Sequence, residues 1–410
     1  MGSVRLRGGS EGRAVLEGQM DIAVAAAKRT PIGAFQGALS GARASELGAA
    51  AIRGVVSESG LDPERIDLVL MGNVLPAGMG QAPARQAALF AGLSRSIPTV
   101  TVSKMCGSGL EAIVQAVRAI AIGDATVVVA GGMESMTNAP YLVPGVRGGL
   151  RLGDASLVDS VVHDGLWDVY NDMHMGSCAE ICAERYSFSR EQQDEFAVCS
   201  YERAQAAMRM GRFREEIVAV EVPGRRGAVE VVSEDEGPLQ VDFAKLPTLR
   251  PAFERGGTVT AANASTINDG AAALVIAEAS VAHELGLPVL AQLRGYSVHA
   301  QDPEWFTTAP VGALHKLFDT LGWSPDDVDL YEINEAFSVV PMAAMREFDL
   351  SHDRVNVHGG AVSLGHPVGA SGARIVVTLI HALQSSQKSR GVATICIGGG
   401  EALALGLELG

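Results

Sequence analysis

The sequence predicts a duplicated α/β fold with one large insertion in its first half, and three observations predict it. Apolar runs of strand length alternate with stretches of helical periodicity at both ends of the chain. Two segments recur. Gly60–Leu68 (GLDPERIDL) parallels Gly322–Leu330 (GWSPDDVDL), 262 residues on, and Val127–Glu134 (VVVAGGME) parallels Thr394–Glu401 (TICIGGGE), 267 residues on. Between Pro140 and Gly257 the charge rises and apolar strands become scarce. Repeats this far apart are not solenoid periods. They imply two similar sheets related by a pseudo-two-fold, with a natural place for a site between the halves. The boundaries read as 20–139 with 258–290 for the N-terminal half, 140–257 for an inserted loop domain, and 291–410 for the C-terminal half.

In chain order, Asp21–Lys28 reads as a buried strand, Ser45–Ser59 as a helix and Ile66–Asn73 as a second strand. A helix follows from Pro83 to Ala91, stopped by Gly92. Thr99–Ser103 is a short strand, Leu110–Ile122 a helix stopped by Gly123, and Ala125–Ala130 a buried strand. This alternation points to a parallel-type sheet. Within the insertion Glu191–Met210 has the spacing of an amphipathic helix, while Arg225–Gly237 reads as polar and strand-poor. After Thr258 the α/β pattern returns.

Composition narrows the function classes. The 410 residues are 47% apolar, enough for two or three packed units. A net charge of −15 argues against nucleic-acid binding, although an acidic protein can still hold an anionic ligand locally. No apolar run approaches the roughly 18–20 residues of a membrane helix. Residues 1–19 carry Arg5, Arg7 and Arg13 but no apolar core. Glu11 and Glu17 oppose a transit peptide, so a disordered extension is expected there. The five cysteines are odd in number and sparse, which implies no disulfide framework and fits a reducing, cytoplasmic compartment. Cys178 and Cys182 share a helix face, but no second ligand pair follows them, and no metal is expected.

Reactive residues cluster at strand–loop–helix junctions. Cys106 lies in Ser103-Lys104-Met105-Cys106-Gly107-Ser108-Gly109, where a helix N-terminus can stabilise thiolate. His366 precedes Pro367 and the helix opening around Gly369–Gly372, where a neutral imidazole could take a proton from a thiol. Cys396 ends the apolar run Val392–Cys396 and enters Gly398-Gly399-Gly400, whose N–H groups suit an oxyanion hole. Asn334 and Glu335 follow Val328–Ile333, also at a strand end, where α/β sheets bind ligands. Any one of these alone reads as a buried or capping residue. Four together in a duplicated fold point to a site.

From Asp21 to Gly410 the chain resembles the thiolase family. The resemblance rests on Gln81–Ala88 (QAPARQAA), Ser103–Gly109, Asn334-Glu335-Ala336-Phe337, Gly359–Gly372 and Cys396–Gly400. It implies the five-layered αβαβα thiolase fold with a loop domain inserted in the first half. It also implies roles: Cys106 as acylated nucleophile, His366 as its activator, and Cys396 as the acid/base at the α-carbon. Asn334 would hold a water that forms one oxyanion hole with His366. The N–H groups of Cys106 and Gly398 would form the other. Thiolate suits such a two-step transfer because it is both a good nucleophile and a good leaving group.

Asp164–Tyr170 (DGLWDVY) and His174-Met175-Gly176 resemble the short-chain, acetoacetyl-CoA branch. The match implies a reversible Claisen condensation of two acetyl-CoA to acetoacetyl-CoA and CoA, with CoA a substrate or product and no bound cofactor. His174, Met175 and Ser265 would contact pantetheine. Ala336 belongs to the same binding surface, and Phe306 and Phe337 would crowd the acyl pocket. A homotetramer, as a dimer of dimers, is the implied assembly. A broader-range 3-ketoacyl-CoA thiolase and a non-catalytic thiolase-like scaffold are the alternatives. Related condensing enzymes pair the cysteine with two histidines, or with histidine and glutamate, and Cys396 speaks against both. Three departures stand out. His358 replaces a frequent asparagine, Glu401 bears on the surroundings of Cys396, and Pro238 stands near a tyrosine position of potassium-activated relatives, so no potassium dependence is expected.

Overall fold

The computed structural model describes residues 21–224 and 228–410. The extension expected over 1–19 lies outside the described residues. The strands that carry the fold are β1 (Ile22–Arg29), β2 (Leu68–Gly72), β3 (Thr99–Val102), β4 (Val127–Ser135), β5 (Asn268–Glu278), β6 (Ala291–Ala300), β7 (Leu330–Ile333), β8 (Arg390–Ile397) and β9 (Glu401–Glu408). Among the described residues they follow one path, β7-β8-β9-β6-β1-β5-β4-β2-β3, with a short strand at Gly33–Ala34 pairing with β5 off that path.

The path contains the duplication. In the first half β1 runs antiparallel to β5 and β5 antiparallel to β4, while β4, β2 and β3 are parallel. In the second half β6 runs antiparallel to β9 and β9 antiparallel to β8, while β8 and β7 are parallel; a parallel bridge from Tyr331 to Val355 stands where β3 stands in the first half. Each half is therefore mixed, not the all-parallel sheet that alternation suggested. The two sheets also join: Ile22–Val24 pairs with Ala291–Leu293 across the middle.

The register corrects one of the two repeats. Leu68 pairs with Val128, and Leu330 with Gly391. That places Val128 opposite Gly391 in the duplication, 263 residues apart, in step with the first repeat and four residues out of step with the glycine match. Gly131 and Gly132 lie inside β4, whereas Gly398–Gly400 is the turn between β8 and β9. In the first half, residues 136–267 fill the place of that turn.

Five layers follow from strand alternation. On β4, Val128 and Ala130 face one core while Val127, Val129 and Met133 face another. The outer core is covered by α1 (Ala44–Ser59) and α2 (Pro83–Phe90). The inner core holds α3 (Ser108–Ala121) and, last in the chain, the long helix Val368–Ser386, which packs on strands of both halves. Between these two helices in sequence come α4 (Met175–Tyr186), α5 (Arg190–Arg209), α6 (Ala309–Leu321) and α7 (Val339–Phe348), so Val368–Ser386 is α8. Helices α6 and α7 cover the far side of the second sheet, and α4 joins them in one core. The α8 N-terminus comes so close to β4 that a Cβ on Gly132 would lie 2.0 Å from the Gly369 carbonyl oxygen. Within the insertion, α5 matches the helical spacing of 191–210. The segment read as strand-poor contains a strand at Val229–Val232, paired with Val220–Pro223.

Candidate active site

The turn before α3 presents Cys106. Met105 takes a left-handed φ of 46°, uncommon without glycine. The Ser108 hydroxyl holds the turn, accepting from the Lys104 N–H at 2.8 Å and donating to the Met105 carbonyl at 2.7 Å. Gly107 caps the helix, so Cys106 lies just outside it. A Cβ on Gly107 would meet Ile397 Cδ1 at 2.4 Å, so a larger residue here would push the Ile397 side chain at the end of β8 aside. There the Gly398 N–H lies near enough to the Cys106 sulfur to favour its thiolate.

The expectation of a lowered thiol pKa does not hold for the resting site. Burial pushes Cys106 up to about 11 against the pull of the Gly398 and Cys106 N–H groups, and the Glu134 carboxylate adds to the rise. The dipole of α3 opposes desolvation but does not overcome it. Cys396 is fully buried and raised well above the ordinary thiol range, by burial and then by Cys106. It pairs with Ala402 in the β8–β9 hairpin.

His366 is buried beside α8. Its N–H donates to Asn268 Oδ1 at 2.9 Å, and Nδ1 lies 2.6 Å from Ser371 Oγ. Ser371 Oγ donates its proton to the Pro367 carbonyl at 3.0 Å, which assigns Nδ1 as the N–H and Nε2 as the bare lone pair. Nε2 has no protein partner among the described residues, and His366 lines the pocket. Burial, and then the Arg374 guanidinium, lower this imidazole to about 3, so it stays neutral and ready to accept a proton. Asn334 is fully buried with neither amide atom partnered among the described residues, while its N–H donates to the Thr394 carbonyl at 3.0 Å.

A cavity of about 640 Å³ opens over these groups. Of the residues singled out from sequence, Cys106, His366, Gly398, His174, Met175, Ser265, Ala336, Phe337 and Phe306 line it. Cys396 and Asn334 do not; both are fully buried, and Cys396 is close enough to Cys106 to feel its charge. His174 caps α4, its Nδ1 accepting from the Gly176 N–H at 3.0 Å, so its ring is fixed. The Ser265 N–H donates to the Ala336 carbonyl at 3.0 Å, which docks the segment leading into β5 on the Asn334–Phe337 loop. Phe306 and Phe337 meet edge to face at 6.4 Å.

Sequence reasoning missed several residues here. Phe253 stacks on His174 at 4.7 Å and lines the same cavity. No motif marked it. Ser371 and Asn268 orient His366, and only Ser371, one turn into α8, carried a signal. Glu134, raised to about 7 by burial, accepts from the N–H groups of Val74, Leu75 and Gly369 and ties the start of α8 to β4. Of the departures, His358 packs its ring on Phe213 at 5.9 Å and does not line the cavity. Glu401 turns to Lys104 in an ion pair.

Comparison with known proteins places the chain in a family. The family models "Thiolase, N-terminal domain" and "Thiolase, C-terminal domain" match residues 22–280 and 287–409. An acetyl-CoA acetyltransferase of Pseudomonas aeruginosa is 50% identical over 94% of this chain and 99% of its own length. Acetyl-CoA acetyltransferase 2 of Arabidopsis thaliana is 52% identical over 95% and 97%. Among solved structures, an Ascaris suum thiolase in complex with coenzyme A superposes with a TM-score of 0.90 at 44% identity, over 95% of this chain and all of that one. The Bacillus anthracis acetyl-CoA acetyltransferase gives 0.93 at 39%, over 98% and 100%. With family models covering both halves, a fold of the same layers and a cysteine–histidine pair at one cavity, this chain belongs to the thiolase family.

Proposed function

We propose that this chain is an acetyl-CoA C-acetyltransferase, joining two acetyl-CoA into acetoacetyl-CoA and CoA, or running the thiolytic reverse. One observation carries the reading: Cys106, Gly398 and a neutral His366 imidazole line one cavity. In the first step Cys106 attacks the thioester carbonyl while His366 Nε2 takes its proton. CoA leaves with the proton of Cys396. The result is acetyl-Cys106, an imidazolium and a Cys396 thiolate. In the second step that thiolate, strongly basic in its buried setting, takes an α-proton from the next acetyl-CoA. The carbanion attacks acetyl-Cys106, and the returning Cys106 sulfur recovers its proton from His366. The N–H groups of Cys106 and Gly398 serve one oxyanion, and His366 with a water on Asn334 serves the other.

His174, Met175, Ser265 and Ala336 would hold pantetheine, and Phe306 and Phe337 would limit the acyl chain to four carbons. We infer a homotetramer, supported by the apolar side chains exposed along Tyr141–Leu157, among them Leu150, Leu152 and Leu157. A reducing, cytoplasmic setting is supported by five free cysteines. We also keep the division into 20–139 with 258–290, 140–257 and 291–410, supported by the two mirrored strand paths. The test is to incubate the protein with acetyl-CoA and follow acetoacetyl-CoA by absorbance, with Cys106→Ser as control. Product from the parent and none from the variant is expected. Absence of product in both directions, or equal product from the variant, contradicts the reading.

A further inference from the structure

We propose that Lys104 and Glu401 are a positioning pair that holds the nucleophile turn against the Gly398 turn, an inference that rests on the acyl-transfer reading above. Lys104 lies two residues before Cys106, and its ammonium pairs with the Glu401 carboxylate. Glu401 is the first residue of β9, directly after Gly398–Gly400, and pairs with Ile397 across the hairpin. The backbone of Lys104 is built into the same turn: its N–H donates to Ser108 Oγ, and its carbonyl accepts from the Gly107 N–H at 3.0 Å.

Three contacts therefore join the two turns. At one end Gly107 backs onto the Ile397 side chain, which a Cβ there would have to displace. In the middle Cys106 and Gly398 line the same cavity, with the Gly398 N–H near enough to favour the thiolate. At the other end stands the ion pair. The first two contacts set how near the turns come, and the ion pair is a third point of attachment between them. What it fixes is the spacing of the Cys106 and Gly398 N–H groups, which must both point at one oxygen for the hole to act. Both side chains are only partly buried, at 24% and 36% exposure, so the pair adds little to global stability. Its effect is local, on a geometry where small misplacements are costly.

The experiment compares the parent with Lys104→Met, Glu401→Gln and the charge-swapped double variant Lys104→Glu/Glu401→Lys. Single-turnover acetylation of Cys106 by acetyl-CoA is read by mass spectrometry, and Tm by thermal unfolding. Each single variant should acetylate about two- to fivefold more slowly with Tm nearly unchanged, the scale of one part-exposed ion pair. The swapped variant should recover to within about twofold of the parent, which a merely structural loss would not do. Single variants that acetylate at the parent rate overturn the proposal. So does a swapped variant as slow as the two losses combined, because the two charges then do not act on each other. A parent that is never acetylated at Cys106 instead removes the acyl-transfer reading, and the two failures are thus distinct.

Discussion

Replacing Phe306 with alanine should widen the range of acyl chains at a measurable cost in stability. Phe306 is 2% exposed, lines the cavity and meets Phe337 edge to face at 6.4 Å. Removing its ring leaves a void bounded by Phe337 and the α4 core. Buried Phe→Ala changes cost about 3–5 kcal/mol when the surroundings do not collapse. That same void is room for a longer acyl chain. Each methylene admitted or refused by an apolar pocket is worth about 1–3 kcal/mol. Two methylenes at the lower bound give about 2 kcal/mol, or about 30-fold in kcat/KM. The assay is thiolysis of four- and six-carbon 3-ketoacyl-CoA by parent and Phe306→Ala. The parent should prefer the four-carbon substrate, and the variant should narrow that preference by about 30-fold. A variant with lowered Tm but an unchanged ratio refutes the assignment, because the void exists and the acyl chain does not use it.

Two further predictions concern the cysteine–histidine pair. With its pKa raised to about 11, Cys106 is a thiol at neutral pH and gains thiolate as pH rises. Its alkylation by iodoacetamide, mapped by mass spectrometry, should climb about tenfold per pH unit from 7 to 10 without the plateau near 8.5 of a free cysteine; a plateau below pH 8 contradicts the burial argument. Ser371→Ala removes the partner that holds His366 Nδ1–H. Condensation should slow by about tenfold, the worth of one hydrogen bond of roughly 1.4 kcal/mol, with KM little changed; an unaltered kcat shows that the ring is oriented without Ser371.

Much of the site was legible because its residues sit at junctions with local signatures. Cys106 between a strand and a glycine-flanked helix start, and His366 before Pro367, are marked by neighbours in sequence. What escaped the sequence reading depends on contacts distant along the chain. Phe253 reaches His174 only because the insertion folds back over α4. Lys104 and Glu401 are 297 positions apart. The glycine repeat misled for a physical reason. Inside β4, Gly131 lets β5 come close and Gly132 lets α8 come close, whereas the glycines after β8 serve a turn, so similar letters mark different structural demands. The antiparallel strands were missed because alternation of elements does not reveal that β5 and β9 return beside their partners. The raised Cys106 pKa was missed because a helix start is visible in sequence and the depth of the cavity above it is not.

The most direct test of the two-cysteine account separates the steps with Cys396→Ala. That change leaves Cys106, the Gly398 N–H and the His366–Ser371 bond untouched. Parent and variant are given acetyl-CoA in deuterated water. Acetylation of Cys106 is followed by mass spectrometry and exchange of the acetyl α-protons by proton NMR. The account predicts acetyl-Cys106 in both proteins, formed more slowly in the variant because departing CoA must take its proton from water, with exchange in the variant reduced about 10²–10⁴-fold, as for loss of a general base. Near-normal exchange in Cys396→Ala, or acetylation found on Cys396 of the parent instead of Cys106, would contradict it.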